Sequence, residues 1–187
     1  MNEYFLKLNG PKTKILVLAP PSIMPLIEIH GIFLDNKCMT FVRSAKNLGA
    51  WLDENLDFKT HIRKSVSSGF MTIRDIYKIK KFLPNDMLCG VVCSLVLMKL
   101  DYCNALLYNL NNNEINMLQA VQNAAIRLIS GGHKFDRIPI TPLFERYHWL
   151  RIRERIVFKL CLIVHKCVWG LLRSRCARRL LCRILEL

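Results

Sequence analysis

The sequence is poor in acid. Fourteen Asp and Glu stand against 28 Lys and Arg, a net charge of +14. No two Asp residues are adjacent, and Asp53-Glu54 is the only neighbouring carboxylate pair. That pair falls where a strand gives way to a helix, a place that turn and capping duties explain. The chain has no Gly-rich phosphate loop, no Gly-x-Ser-x-Gly elbow and no Cys-x-x-Cys. A complete enzyme site is therefore not found, and a zinc site of the usual spacing is not either. The uncharged apolar stretch Met87–Met98 is bounded by Asp86 and Lys99 and is too short to span a bilayer. The start, Met1-Asn2-Glu3-Tyr4, lacks a basic region followed by an apolar run, which argues against a signal peptide. Internal repeats and low-complexity tracts are absent.

What is present is enough for one domain, or a small domain with an appendage. The chain has 187 residues, 52% of them apolar, so it can bury a core. Eight cysteines are irregularly spaced, and several fall in apolar helical patterns. They read as reduced, buried thiols of an intracellular protein, nuclear or cytoplasmic. Cys89/Cys93 and Cys161/His165 are each four apart on a helix and share a face, but apolar neighbours make core packing the default. The excess charge favours a polyanionic partner, nucleic acid or an anionic membrane surface. It is uneven: residues 151–187 hold ten basic and two acidic groups, more than half of the excess.

Residues 1–56 read as β-rich. Short apolar runs at Lys14–Ala19, Pro25–His30, Cys38–Arg43 and Leu48–Leu52 suggest a meander of hairpins, with Asp35-Asn36-Lys37 as a turn. From Asp57, a plausible N-cap, the period becomes helical. Phe58, Ile62, Val66, Phe70, Ile73 and Tyr77 predict one apolar helix face. Pro84 separates this from a helix over Asn85–Leu107, apolar on most faces and therefore central. Asn111 offers a cap to a third helix whose buried face is Ile115, Leu118, Gln122, Ala125 and Ile129, ended by Gly131-Gly132. Thr141-Pro142 reads as the start of a short helix. A last helix begins near Arg151 with Ile152, Ile156, Leu160, Ile163 and Cys167 inside.

The basic residues form two stripes. Lys59, Arg63, Arg74, Lys78 and Lys81 fall within about 100° on a helical wheel. Arg151, Arg155, Lys159 and Lys166 repeat the design on the last helix. Both stripes have few acidic partners, so the pattern suits phosphate contact, against the plainer reading of a solvated face. Phe70, Tyr77 and Trp149 lie nearby, where stacking on bases is conceivable, but Phe70 and Tyr77 fit the apolar period and core packing is the expectation.

A series of short words then follows one order. These are Leu8-Asn9-Gly10-Pro11-Lys12-Thr13, Leu48-Gly49-Ala50-Trp51-Leu52-Asp53, Leu56-Asp57-Phe58 and His61-Ile62. After them come Lys81-Phe82-Leu83-Pro84, Leu100-Asp101-Tyr102-Cys103-Asn104, Leu118–Ala125, Leu128-Ile129, His148-Trp149-Leu150 and Arg153-Glu154-Arg155-Ile156. Over roughly residues 5–172 the chain resembles the C-terminal part of the reverse transcriptase of LINE-type, non-LTR retrotransposons of the jockey or chicken-repeat kind.

The resemblance implies an α+β fold: small antiparallel hairpins from the palm edge over residues 1–56, then a four- to five-helix thumb bundle over 57–172. It implies a truncated RNA-directed DNA polymerase that lacks the aromatic-x-Asp-Asp motif. No cofactor is then expected here, and Mg2+ belongs only to the full-length polymerase. Lys12 matches the family's late-palm lysine near the incoming triphosphate. Leu48, Gly49 and Trp51 match the hairpin that grips the primer. The helical part would lie along a template–primer duplex, RNA or RNA–DNA, touching phosphate and 2′-OH without reading sequence. Its partners are that duplex and the missing palm domain, with no membrane; oligomeric state is left open. Lys14 replaces a frequent Glu of the family, and Arg151 replaces a Pro. Residues 173–187 depart from the family and form an Arg-rich tail of net charge +4. The alternative reading is a non-functional retroelement relic, or a basic helical interaction protein without a specific ligand.

Overall fold

The structure, a computed structural model, describes residues 13–20, 22–23, 31–34, 37–131 and 139–169. Contacts divide the chain into two compact units, 1–64 and 65–187. The architecture is mixed, with small antiparallel hairpins followed by helices, in agreement with an α+β chain.

In the first unit, β1 (Gly31–Leu34) pairs antiparallel with β2 (Lys37–Thr40), and β3 (Ser44–Asn47) with β4 (Ala50–Asp53). These are two separate two-stranded sheets, where the sequence suggests one meander. The expected strand at Lys14–Ala19 is reduced to one parallel bridge, Ile15 to Phe41. The expected strand at Pro25–His30 lies outside the described residues. Leu48 and Gly49 are not strand but the two-residue turn of the second hairpin, with φ of 46° and 95°. Positive φ at both positions gives the twist that a tight hairpin needs, and Gly49 takes it without steric cost.

Asp53, at the end of β4, is buried and starts the first helix. Its carboxylate accepts from the N–H groups of Phe58 (3.1 Å) and Thr60 (3.4 Å), while Asp57 accepts from Lys59 N–H (3.1 Å). These bonds satisfy donors left free at a helix start. Helix α1 (Lys59–Ile79) follows. Its inward side is Ile62, Gly69 and Ile76 at seven-residue spacing. Phe70 and Tyr77, assigned to the core by their period, are exposed. The aromatic rings displace the apparent apolar face from the real one, because Gly69 carries no hydropathy signal.

In the second unit, α4 (Asn112–Ser130) is the hub, touching α2 (Asn85–Val92), α5 (Ile140–Arg146) and α6 (Ile152–Val168). The Asn111 side chain accepts from Glu114 N–H, and the Glu114 carboxylate accepts from Asn111 N–H, closing a capping box. Gly131, at φ 79°, ends the helix in the left-handed region. The predicted face of α4, from Ile115 to Ile129, is buried throughout. Each fully buried Leu or Ile in such a face stabilises by about 1.5–3 kcal/mol. Gln122, wholly buried, donates to Leu150 C=O (2.8 Å) and accepts from Gln119 (3.0 Å), so its burial is compensated.

The helix expected over Asn85–Leu107 is interrupted. After α2 it widens into a π-turn at Cys93–Leu97, resumes as α3 (Met98–Asp101), and breaks at Cys103, φ 56°, before a 3-10 turn at Asn104–Leu107. Helix α5 starts at Ile140, so Thr141-Pro142 lie inside its first turn rather than at its boundary. Leu143 and Phe144 of α5 pack on Ile126, with Trp149 edge-on to Phe144 at 6.4 Å between ring centres. The stripe of α6 is buried at Ile152 and Ile156 and half-buried at Leu160, Ile163 and Cys167.

Candidate nucleic-acid interface

A phosphate-binding surface needs cations that are exposed and not already neutralised. The two basic stripes differ sharply on this point. On α6 the arginines hold the fold together. Arg155 forms a bidentate pair with Asp101 of α3, Nε to Oδ1 at 2.8 Å and Nη2 to Oδ2. Its hydrogen bonds to that carboxylate raise the Arg155 pKa further. Arg151 donates to the Thr141 hydroxyl (2.8 Å) and lies over the Phe144 ring. Arg153 donates to Asn112 (2.6 Å). Three arginines thus tie α6 to α3, to α5 and to the start of α4. Of the predicted stripe, Arg155 has an acidic partner and Arg151 a hydroxyl, because the planar guanidinium fork finds acceptors from distant parts of the chain. Lys159 remains exposed, on the rim of a cleft of about 260 Å³ that also contains Asp101, Asn104 and Arg155.

On α1 the cations point outward. In its part within the second unit, Arg74 and Lys78 are exposed, and Lys81 follows in a 3-10 turn, Lys80–Phe82. Lys78 pairs with Asp75, Nζ to Oδ1 at 2.8 Å, one of the few acidic partners of this stripe. The Lys78 ammonium beside it holds the Asp75 carboxyl below the ordinary carboxylate range. An exposed pair of this kind is weak and readily exchanged for another anion. Phe70 is 39% exposed, Tyr77 63% and Phe82 74%. The Lys81 ammonium lies 4.8 Å from the Phe82 ring centre. Lys99 of α3 donates to the hydroxyls of Ser68 (3.3 Å) and Thr72 (3.0 Å). No local pattern announces Lys99 or Phe82; the first is brought to α1 by tertiary packing.

In the first unit, Lys59 pairs with Asp57 (2.6 Å), which lowers the Asp57 pKa, and Arg63 is exposed. Trp51 of β4 is half-buried. Its N–H donates to Nδ1 of the buried His61 (3.4 Å), and the Lys64 ammonium sits 3.9 Å from its ring centre. Burial lowers the His61 pKa, partly offset by the charge of Asp53. Nδ1 is therefore an acceptor and the ring is neutral. Trp51 is fastened to the first turns of α1, whereas Leu48, 89% exposed at the turn, projects outward. Lys12 lies outside the described residues.

Among the described residues no group of three or more His, Cys, Asp or Glu is placed to hold a metal ion. Nor is any described helix long and apolar enough to cross a membrane. The described thiols are free. Cys161 is exposed, contrary to the expectation of buried cysteines, and Cys93 is pushed up in pKa by burial and by Cys89 beside it. Comparison with protein-family models, with curated proteins and with solved structures gives no match to this chain.

Proposed function

We propose that this chain is the rear portion of a LINE-type reverse transcriptase, comprising late palm, primer-grip hairpin and thumb. It would hold an RNA or RNA–DNA duplex through phosphate contacts. The observation that carries the reading is the exposure of apolar side chains in the described residues before α1. Between residues 13 and 58, Ala50 is the only apolar side chain described as buried, while Leu18, Ile23, Ile32, Phe33, Leu48 and Leu56 are exposed. Two short hairpins with these apolar side chains exposed among the described residues suit a surface built to lie on a neighbouring sheet, as a palm edge does. In the second unit the exposed Arg74 of α1 and Lys81 of the turn after it then supply electrostatic contact, with Lys78 and Lys159 as further candidates; in the first unit Arg63 and Lys59 are the candidates. Arg151 and Arg155 serve the fold instead.

Nucleotide addition in such enzymes runs through Mg2+ held by a carboxylate pair. These 187 residues contain no Asp-Asp pair, so the proposed role is binding without polymerisation. Fluorescence anisotropy with an RNA–DNA duplex tests it. If about five phosphates are neutralised, log K falls against log salt with a slope near −4. A flat salt response overturns the reading.

A further inference from the structure

The exposed aromatics of α1 have no use in the core, and a duplex has no use for them either. A paired and stacked base offers its edges, not its face, so a duplex meets a thumb through phosphate and sugar. Unpaired bases do offer a face, and proteins that bind single strands combine aromatic rings with a cationic track. Residues 70–82 contain both: Phe70, Tyr77 and Phe82, interleaved with Arg74, Lys78, Lys80 and Lys81, against the single acid Asp75. Phe70, Arg74, Tyr77 and Lys78 lie within about 100° around the helix, and Phe70 and Tyr77 are separated by roughly 10 Å along its axis. That is roughly three stacked nucleotides at about 3.4 Å each.

We infer that the outward face of α1, through Phe70 and Tyr77 flanked by Arg74 and Lys81, is a stacking platform for single-stranded nucleic acid. The inference deepens the proposed function and rests on its premise of a nucleic-acid partner. It assigns to this face the unpaired strand rather than the duplex. No contact selects the base or the ribose, so single-stranded RNA and DNA bind alike. Charge complementarity commits the site to a polyanionic strand: the segment 70–82 that holds this face carries net +3.

The test uses the full chain and three labelled probes: a dT12 strand, an rU12 strand and an RNA–DNA duplex, compared at the same salt concentrations across a salt series. Replacing Phe70→Ala and Tyr77→Ala together weakens both single strands by about tenfold or more and leaves the duplex unchanged. The salt slope for dT12 stays as it was, because the phosphate contacts remain. A Phe70→Trp variant provides a readout independent of affinity and of folding losses: saturating dT12 quenches its added indole fluorescence relative to the parent chain. Unchanged single-strand affinity in the double variant, or absence of that quenching, overturns the platform while duplex binding still supports the function proposed above. Failure of all three probes to bind the parent chain overturns both.

Discussion

Leu48 is held at φ 46° with its side chain in solvent. A left-handed conformation costs an L-residue about 1–2 kcal/mol, and burial does not offset it here. Asn tolerates that region far better, and Asn-Gly is the favoured pair for this turn. Leu48→Asn should therefore stabilise the hairpin by roughly 0.5–1 kcal/mol, read as a higher urea midpoint. If the turn grips a strand end, the same change lowers affinity while raising stability, so strain and function separate in one variant. His61 makes a second residue-scale prediction. Its pKa in the folded protein is depressed, so the unfolded chain binds the proton more readily. Stability from this group is present above pH about 6.5, the unfolded value, and is lost progressively as pH falls from there through the lower folded value. Protonation also turns Nδ1 into a donor and removes the acceptor for Trp51 N–H. Urea unfolding at pH 7.5 and 5.5 should show a decline that His61→Gln, which keeps an acceptor and does not titrate, makes shallower; an equal decline in both proteins would refute the role.

At the scale of elements, α1 meets α4 where Gly69 faces Val121. A Cβ placed on Gly69 would stand 2.6 Å from Cγ1 of the fully buried Val121. Gly→Ala in a helix ordinarily gains about 1 kcal/mol of propensity. Here overpacking costs about 1–3 kcal/mol, so Gly69→Ala should be net destabilising. In a Val121→Ala background the clash is gone, and the same substitution should become stabilising. A double-mutant cycle reads this reversal of sign directly, and additivity would refute the contact. The same contact explains what was legible from sequence. Helix α4 could be read to its ends, because Asn111, Glu114 and Gly131 are local signals and the face from Ile115 to Ile129 has a clean period. The phase of α1 could not, because its inward centre is a glycine and its outward face carries Phe70 and Tyr77. The break at Cys103 is invisible too, since neither Gly nor Pro marks it. For the candidate site, the cations of α1 were legible as a stripe. The reassignment of Arg155 was not: Asp101 lies 54 residues away, and only the packing of α6 on its neighbours joins them.

At the scale of the whole molecule, apolar burial is distributed very unequally. The second unit contains many buried apolar side chains, among them Leu88, Val92, Val96, Val121 and Ile126, whereas the described part of the chain before α1 buries Ala50 alone among apolar residues. Opening free energy follows burial and backbone hydrogen bonding, so one chain can hold units that open at very different cost. Amide hydrogen exchange should show the α4 core as the slowest set, opening only with global unfolding. The amides of β1 and β2 should exchange many orders of magnitude faster, because each strand has one partner and Phe33 is 77% exposed. The β3–β4 hairpin should fall between them, because Asp53 and His61 fasten it to α1. A covering sheet of the kind proposed would bring β1 and β2 up towards the core without changing α4. Equal protection in both hairpins and in α4 would mean that the first unit is complete by itself, and the reading of this chain as the rear of a larger polymerase would fall with that result.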